Sequence, residues 1–114
     1  MTNSSSILDF QLALDAVNGN ANLARDLLTT LISQLDDYQI KITDFHHADD
    51  RKQLQDTIHK INGAMRYVGA PMLAEKVASL DGQIEAISAD LLAPQISEVL
   101  VEINNIIELG RYPE

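Results

Sequence analysis

Cysteine and tryptophan are both missing from the 114 residues. The lack of cysteine excludes disulfides, thiolate nucleophiles and cysteine metal sites. Aromatic residues make up only 4% of the chain, so any core has to be aliphatic. Positive charge is scarce as well: 8 Lys and Arg stand against 17 Asp and Glu, a net charge of −9. That balance repels nucleic acid and anionic membrane, and no basic run offsets it, so contact with neither is expected. An anionic ligand therefore has to be met by a local group of cations. No apolar run approaches the length of a membrane span, and MTNSSS lacks the charged and apolar regions of a signal peptide, which fits a cytoplasmic setting. Nothing forms a P-loop or the glycine-rich nucleotide site of a kinase, so kinase activity of the chain's own is excluded.

What is present is helical periodicity. With 46% hydrophobic residues the chain can bury one core. Apolar residues recur at spacings of three and four in four stripes: Ala24 to Phe45, Leu54 to Val68, Leu73 to Ile87 and Leu92 to Ile106. Asn20 can cap the first long helix, Asp49 or Asp50 the second, and Ser88 or Asp90 the last. Gly69 can end the second helix, with Pro71 in the first turn of the third. Short connections favour antiparallel neighbours. The expected fold is all-α, an antiparallel up-down-up-down four-helix bundle, with a short extra N-terminal helix in ILDFQLALDAV. Residues 1–6 are expected to be a leader or linker, 7–110 a single domain and 111–114 a tail, and the isolated chain a monomer.

The stretch TIHKINGAMRYVGAP, residues 57–71, holds a glycine, Gly63, one turn after a histidine, His59. A glycine inside a helix costs roughly 1 kcal/mol relative to alanine. With Ile58 and Ile61 on the buried seam, His59 falls on an outward face that also carries Lys52, Gln55, Asp56, Asn62, Gly63 and Arg66. Gly63 removes a side chain that would crowd the imidazole, and Lys60 and Arg66 locally reverse the acidic charge. A free imidazole, an open approach and nearby cations are the parts that phosphoryl transfer uses.

These residues resemble a known family. HKINGAMRYVGAPML is similar to the signature of histidine-containing phosphotransfer (HPt) domains, with His59, Gly63, Ala64, Gly69 and Leu73 at the signature positions. NGNANLARDLLTTLISQL resembles the start of the family's first long helix, and the whole is most similar to the C-terminal HPt domain of BarA/GacS-type hybrid sensor histidine kinases. The resemblance implies that His59 is phosphorylated on Nε2. It implies transfer from a receiver-domain aspartate of a hybrid sensor kinase and onward to a response-regulator aspartate, in two-component signalling. No cofactor is expected on this chain, Mg²⁺ being brought by the partner receiver. Many members carry lysine three residues after the histidine, where this chain has Asn62; Lys60 or Arg66 can take that lysine's place facing the phosphate. The family's usual partner for the other ring nitrogen is a polar residue on the next helix, which matches Asp81. The bundle pattern agrees, because Asp81 flanks the seam beside Leu80. A carboxylate on Nδ1–H leaves Nε2 as the nucleophile.

Two other functions fit parts of the pattern. The pairs Asp44/His47 and Asp56/His59 have the D-x-x-H spacing of carboxylate–histidine metal bundles, but such ligands must project inward and be joined by others. Asp56 and His59 face outward, Asp44 and His47 fall near a helix end, and His46-His47 reads as a hydrated loop, so no metal site is expected. The second alternative is a helical interaction module with an incidental surface histidine.

Overall fold

Each helix of the computed structural model, which describes residues 7–113, begins where a short polar side chain or proline can start one. Helix α1, Phe10–Ala16, is capped by Asp9, whose carboxylate accepts from the Leu12 N–H. Helix α2, Ala21–His47, is capped by Asn20. Of the two candidates for α3, Arg51–Ala64, the cap is Asp50. Helix α4, Pro71–Leu80, has its proline in the first turn, and α5, Ala89–Leu109, is capped by Ser88 rather than Asp90.

The 27 residues of α2 rise about 40 Å at 1.5 Å per residue, and the molecule's longest dimension is 40 Å. Helix α2 packs on α3 and α5, α4 packs on the same two, and α1 lies against α2. This is the expected antiparallel up-down-up-down bundle with a short additional helix. The four stripes meet in its centre, where Leu35, Ile42, Ile58, Ile61, Val77, Ile84, Val99 and Ile103 are buried.

The boundaries differ from the sequence expectation in three places. The third stripe continues through Ile84 and Ile87, but the α-helix stops at Leu80. Asp81 is its C-cap with extended backbone (ψ 126°), and Gly82 follows in the left-handed region at φ 81°. Ile84 nevertheless stays buried, because the turns of residues 81–87 keep it facing the core. The stretch His46-His47 is the last turn of α2 rather than a loop.

The third difference concerns Gly69, which does not end the second helix: α3 stops at Ala64, with Met65 as its C-cap. Gly69 instead lets α1 come close. Its carbonyl accepts from the Asp9 N–H at 2.7 Å, and its N–H donates to the Tyr112 hydroxyl at 3.0 Å. A Cβ at this position would collide with the Asp9 carbonyl oxygen and sit 3.0 Å from the Ala13 backbone nitrogen. Tyr112 itself is only 3% exposed and stacks at a tilt on Phe10, so a residue beyond the last helix joins the core. Gly69→Ala should therefore destabilise the fold by about 1–3 kcal/mol, the range for overpacking, read as a lower denaturant midpoint. An unchanged midpoint would show that α1 is not held by this contact.

Candidate functional site

Helix α3 presents Arg51, Gln55, His59 and Asn62 at successive spacings of four, four and three, which puts them along one side of the rod. Opposite lies the connection from α4 to α5. Arg51 donates to the carbonyls of Ile84 at 2.7 Å and Ile87 at 2.6 Å, and also to the Asp49 carboxylate. Gln55 accepts from the Ile84 N–H through Oε1 and donates from Nε2 to Asp81 Oδ1 at 2.7 Å. Asn62 donates from Nδ2 to Asp81 Oδ2 at 2.9 Å. These bonds replace the helical ones that the connection has given up, and they fix the Asp81 carboxylate against α3.

Between Gln55 and Asn62 stands His59. Its Nδ1 lies 2.9 Å from Asp81 Oδ2 and 3.2 Å from Oδ1. The two side chains differ sharply in exposure, 74% for His59 and 18% for Asp81. The hydrogen bond from His59, with further ones from Asn62 and Gln55, holds the Asp81 carboxyl below its ordinary pKa of 3.8, against the opposing effect of burial. Asp81 is thus ionised at neutral pH and can only accept, so the short contact requires the proton on Nδ1. The lone pair is then on Nε2, at the exposed side of the ring, where no described residue bonds it. The site is an imidazole held in one tautomer and aimed at solvent.

The other site residues predicted from sequence fall into two groups. Lys60 and Arg66 are exposed and form no ion pair among the described residues. Asn62 is on the same side, but its amide is turned onto Asp81 rather than outward. Gln55 and Arg51 also belong to the site, though nothing along the sequence marks them for these bonds. Their spacing from His59 was visible, but their partners, Asp81 and residues 84 and 87, are brought opposite only by the turn at Gly82.

Gly63 is the penultimate residue of α3, and a Cβ there would meet nothing within 4 Å. The glycine is therefore not required by packing. Gly63→Gln should leave stability unchanged or raise it by up to about 1 kcal/mol through helix propensity, while slowing any reaction that needs a large partner over His59. A destabilised variant that reacts at the normal rate would contradict this. As for metals, among the described residues no three His, Asp or Glu side chains gather in a way that could hold an ion.

Comparison with known proteins agrees with this geometry. The model of one protein family, the Hpt domain, matches residues 22–109. The chain belongs to the Hpt family. It is 30% identical over 107 residues to the signal transduction histidine-protein kinase BarA of Shigella flexneri, a match covering 93% of the chain and 12% of BarA. The sensor histidine kinase GacS of Pseudomonas protegens is 36% identical over 67 residues, 59% of the chain and 7% of GacS. The crystal structure of the HPT domain from a hybrid histidine kinase of Shewanella has a TM-score of 0.86 at 27% identity, with 91% of this chain and 90% of that one covered. This Hpt domain thus spans about an eighth of BarA's length. Its role as a member of that family is histidine–aspartate phosphotransfer. No described helix is long and apolar enough to cross a membrane.

Proposed function

We propose that His59 is the phosphoryl acceptor of this Hpt domain, taking the group from an aspartyl phosphate on one receiver domain and passing it to an aspartate on another. The observation that carries this is the Nδ1–Asp81 contact at 2.9 Å on a ring that is otherwise open. The reacting receiver brings its own Mg²⁺ and the acyl phosphate. This chain contributes the nucleophile, its orientation and cations nearby. Nε2 attacks phosphorus in line, the N–P bond forms, and the P–O bond to the receiver carboxylate breaks with its electron pair left on the carboxylate. Transfer onward is the same step reversed, on a second receiver.

A receiver has room to sit here. One groove is formed by Leu27 and Leu31 of α2 with Ala64, Tyr67 and Val68 at and beyond the end of α3, and Tyr67 is half exposed. His59 itself lines a second groove, with Lys41 and Phe45 of α2 and Thr57 and Lys60 of α3. Two lysines thus share a groove with the nucleophile, and an apolar strip for docking lies farther along α2 and α3. A cytoplasmic setting follows from such partners.

The test is a two-receiver relay. Labelled phosphate on one receiver should appear on this chain and leave it when a second receiver is added; no transfer with any phosphorylated receiver would end the reading. Reversing the charge of Lys60 or Arg66 should slow transfer more at low salt than at high salt, because exposed charges are screened over about 8 Å at physiological ionic strength. Equal slowing at all ionic strengths would assign those side chains a role other than charge.

A further inference from the structure

The acceptor of the Nδ1 proton is a carboxylate, and it is held by two amides. That has a consequence for the phosphorylated state, which rests on the reading of His59 given above. When a neutral imidazole attacks through Nε2, its Nδ1 proton stays behind and the product ring is a cation. If that proton is lost, breaking the N–P bond must expel an imidazolate, a far poorer leaving group. If it is kept, the leaving group is the neutral ring. Whether phosphohistidine keeps its proton thus decides how readily the phosphoryl group moves on.

We propose that Gln55 and Asn62 are positioning residues that hold Asp81 as a charged acceptor, so that phosphorylated His59 keeps its Nδ1 proton and the relay runs in both directions without moving a proton. Gln55 Nε2 fixes Oδ1 at 2.7 Å and Asn62 Nδ2 fixes Oδ2 at 2.9 Å, leaving both oxygens within reach of Nδ1. In the forward step the N–P bond forms, the receiver carboxylate departs with the electron pair of the broken P–O bond, and the positive charge on the ring is paired with Asp81. In the return step the N–P electron pair goes back to Nε2 and regenerates the same neutral tautomer. The proton remains on Nδ1 throughout.

The other charged groups facing the ring are Asp56 and Lys60 on α3 and Lys41 on α2, which line the groove beside it. Asp56 and Lys60 are of opposite charge and Lys41 is paired with Asp37 at 2.9 Å, so these groups together add no net charge beside the ring. The connection between α4 and α5 contributes Asp81, the group in direct contact with the ring. An Asp81 whose oxygens were free to turn, or which took up a proton, would not hold the cation in place.

The experiment is to phosphorylate the chain with phosphoramidate, which needs no receiver, and to follow protonation of Nδ1 in phospho-His59 by ¹⁵N NMR against pH. The rate of transfer to a receiver is measured on the same samples. In the unaltered chain the proton should persist to higher pH than in Asp81→Asn, where the midpoint should fall by about one pH unit or more. Asn62→Leu and Gln55→Met should each lower it part of the way, and the transfer rate should begin to fall at correspondingly lower pH. Asn62→Leu leaves the Gln55–Ile84 bond intact, so it separates this role from loss of structure; should it fail to fold, Asn62→Ala takes its place. Phospho-His59 that forms in the folded variants and titrates as in the unaltered chain would overturn the inference. Failure of the unaltered chain to form phospho-His59 would instead overturn the reading beneath it.

Discussion

Replacing His59 by Gln should abolish phosphate transfer to the chain while leaving helical content and melting unchanged. The ring is 74% exposed and its one hydrogen-bond partner among the described residues is Asp81, so little of the fold depends on it. The chemical loss should be complete, because an amide has no nucleophilic nitrogen to replace Nε2. His46→Gln and His47→Gln should transfer at the normal rate. Those two histidines end α2, in its last turn, and among the described residues neither is hydrogen-bonded to a carboxylate as His59 is. Radiolabel transfer from a phosphorylated receiver reads all three variants, and label retained on His59→Gln would remove this residue from its role.

The second large effect is expected at Asp81. Asp81→Ala should slow transfer by about 10- to 100-fold without removing the acceptor. That is the loss of one charge-assisted hydrogen bond, about 1.5–3 kcal/mol, felt as an imidazole free to turn and to place its proton on Nε2. The same substitution should change stability with a definite pH signature. The folded-state pKa of Asp81 is lowered, so its contribution is present above the ordinary carboxylate value of 3.8 and is lost as pH falls through the lowered value. The unaltered chain should therefore lose stability on acidification over a range where Asp81→Ala loses less. Superimposable acid unfolding curves would show that the carboxylate is not held in the way the geometry indicates. A transfer rate equal to that of the unaltered chain would show that orientation through Nδ1 is unimportant.

The parts of this molecule that were legible in the sequence are those set by local spacing. The four apolar stripes gave the bundle, because burial of one face is the dominant requirement on each helix. His59 could be placed on an outward face for the same reason, given Ile58 and Ile61. Apolar spacing could not say where α4 stops. Ile84 and Ile87 continue the stripe, and a turn stretch that keeps them pointing inward looks the same as another helical turn. The choice was made by Gly82 in the left-handed region and by Arg51 and Gln55, which take over the backbone groups of residues 84 and 87. These are contacts between residues some 30 positions apart, with no signature along the chain.

The same holds for Asn62 and Gly69. Helix spacing puts Asn62 on the phosphate-facing side of α3 beside His59, whereas its amide serves the carboxylate that orients the ring. Gly69 has the residue type of a helix stop, whereas it is kept small by the backbone of α1 and bonded by Tyr112 from the far end of the chain. In each case the residue type was informative and its partner was not. Around His59 this matters for chemistry: the nucleophile could be named from its helix face, but the group of side chains that sets its tautomer is assembled from α3 and from the connection between α4 and α5.

On the mechanism proposed, the phosphoryl group resides on Nε2 of His59. The most direct measurement is to incubate the chain with a phosphorylated receiver, quench in base and locate the phosphate by fragmentation mass spectrometry, with ³¹P and ¹⁵N NMR to identify the bonded nitrogen. A single acid-labile, base-stable phosphate is expected on His59, attached through Nε2 with Nδ1 facing Asp81. Phosphate on His46 or His47, on an acid-stable hydroxyl, or on Nδ1 of His59 would contradict it.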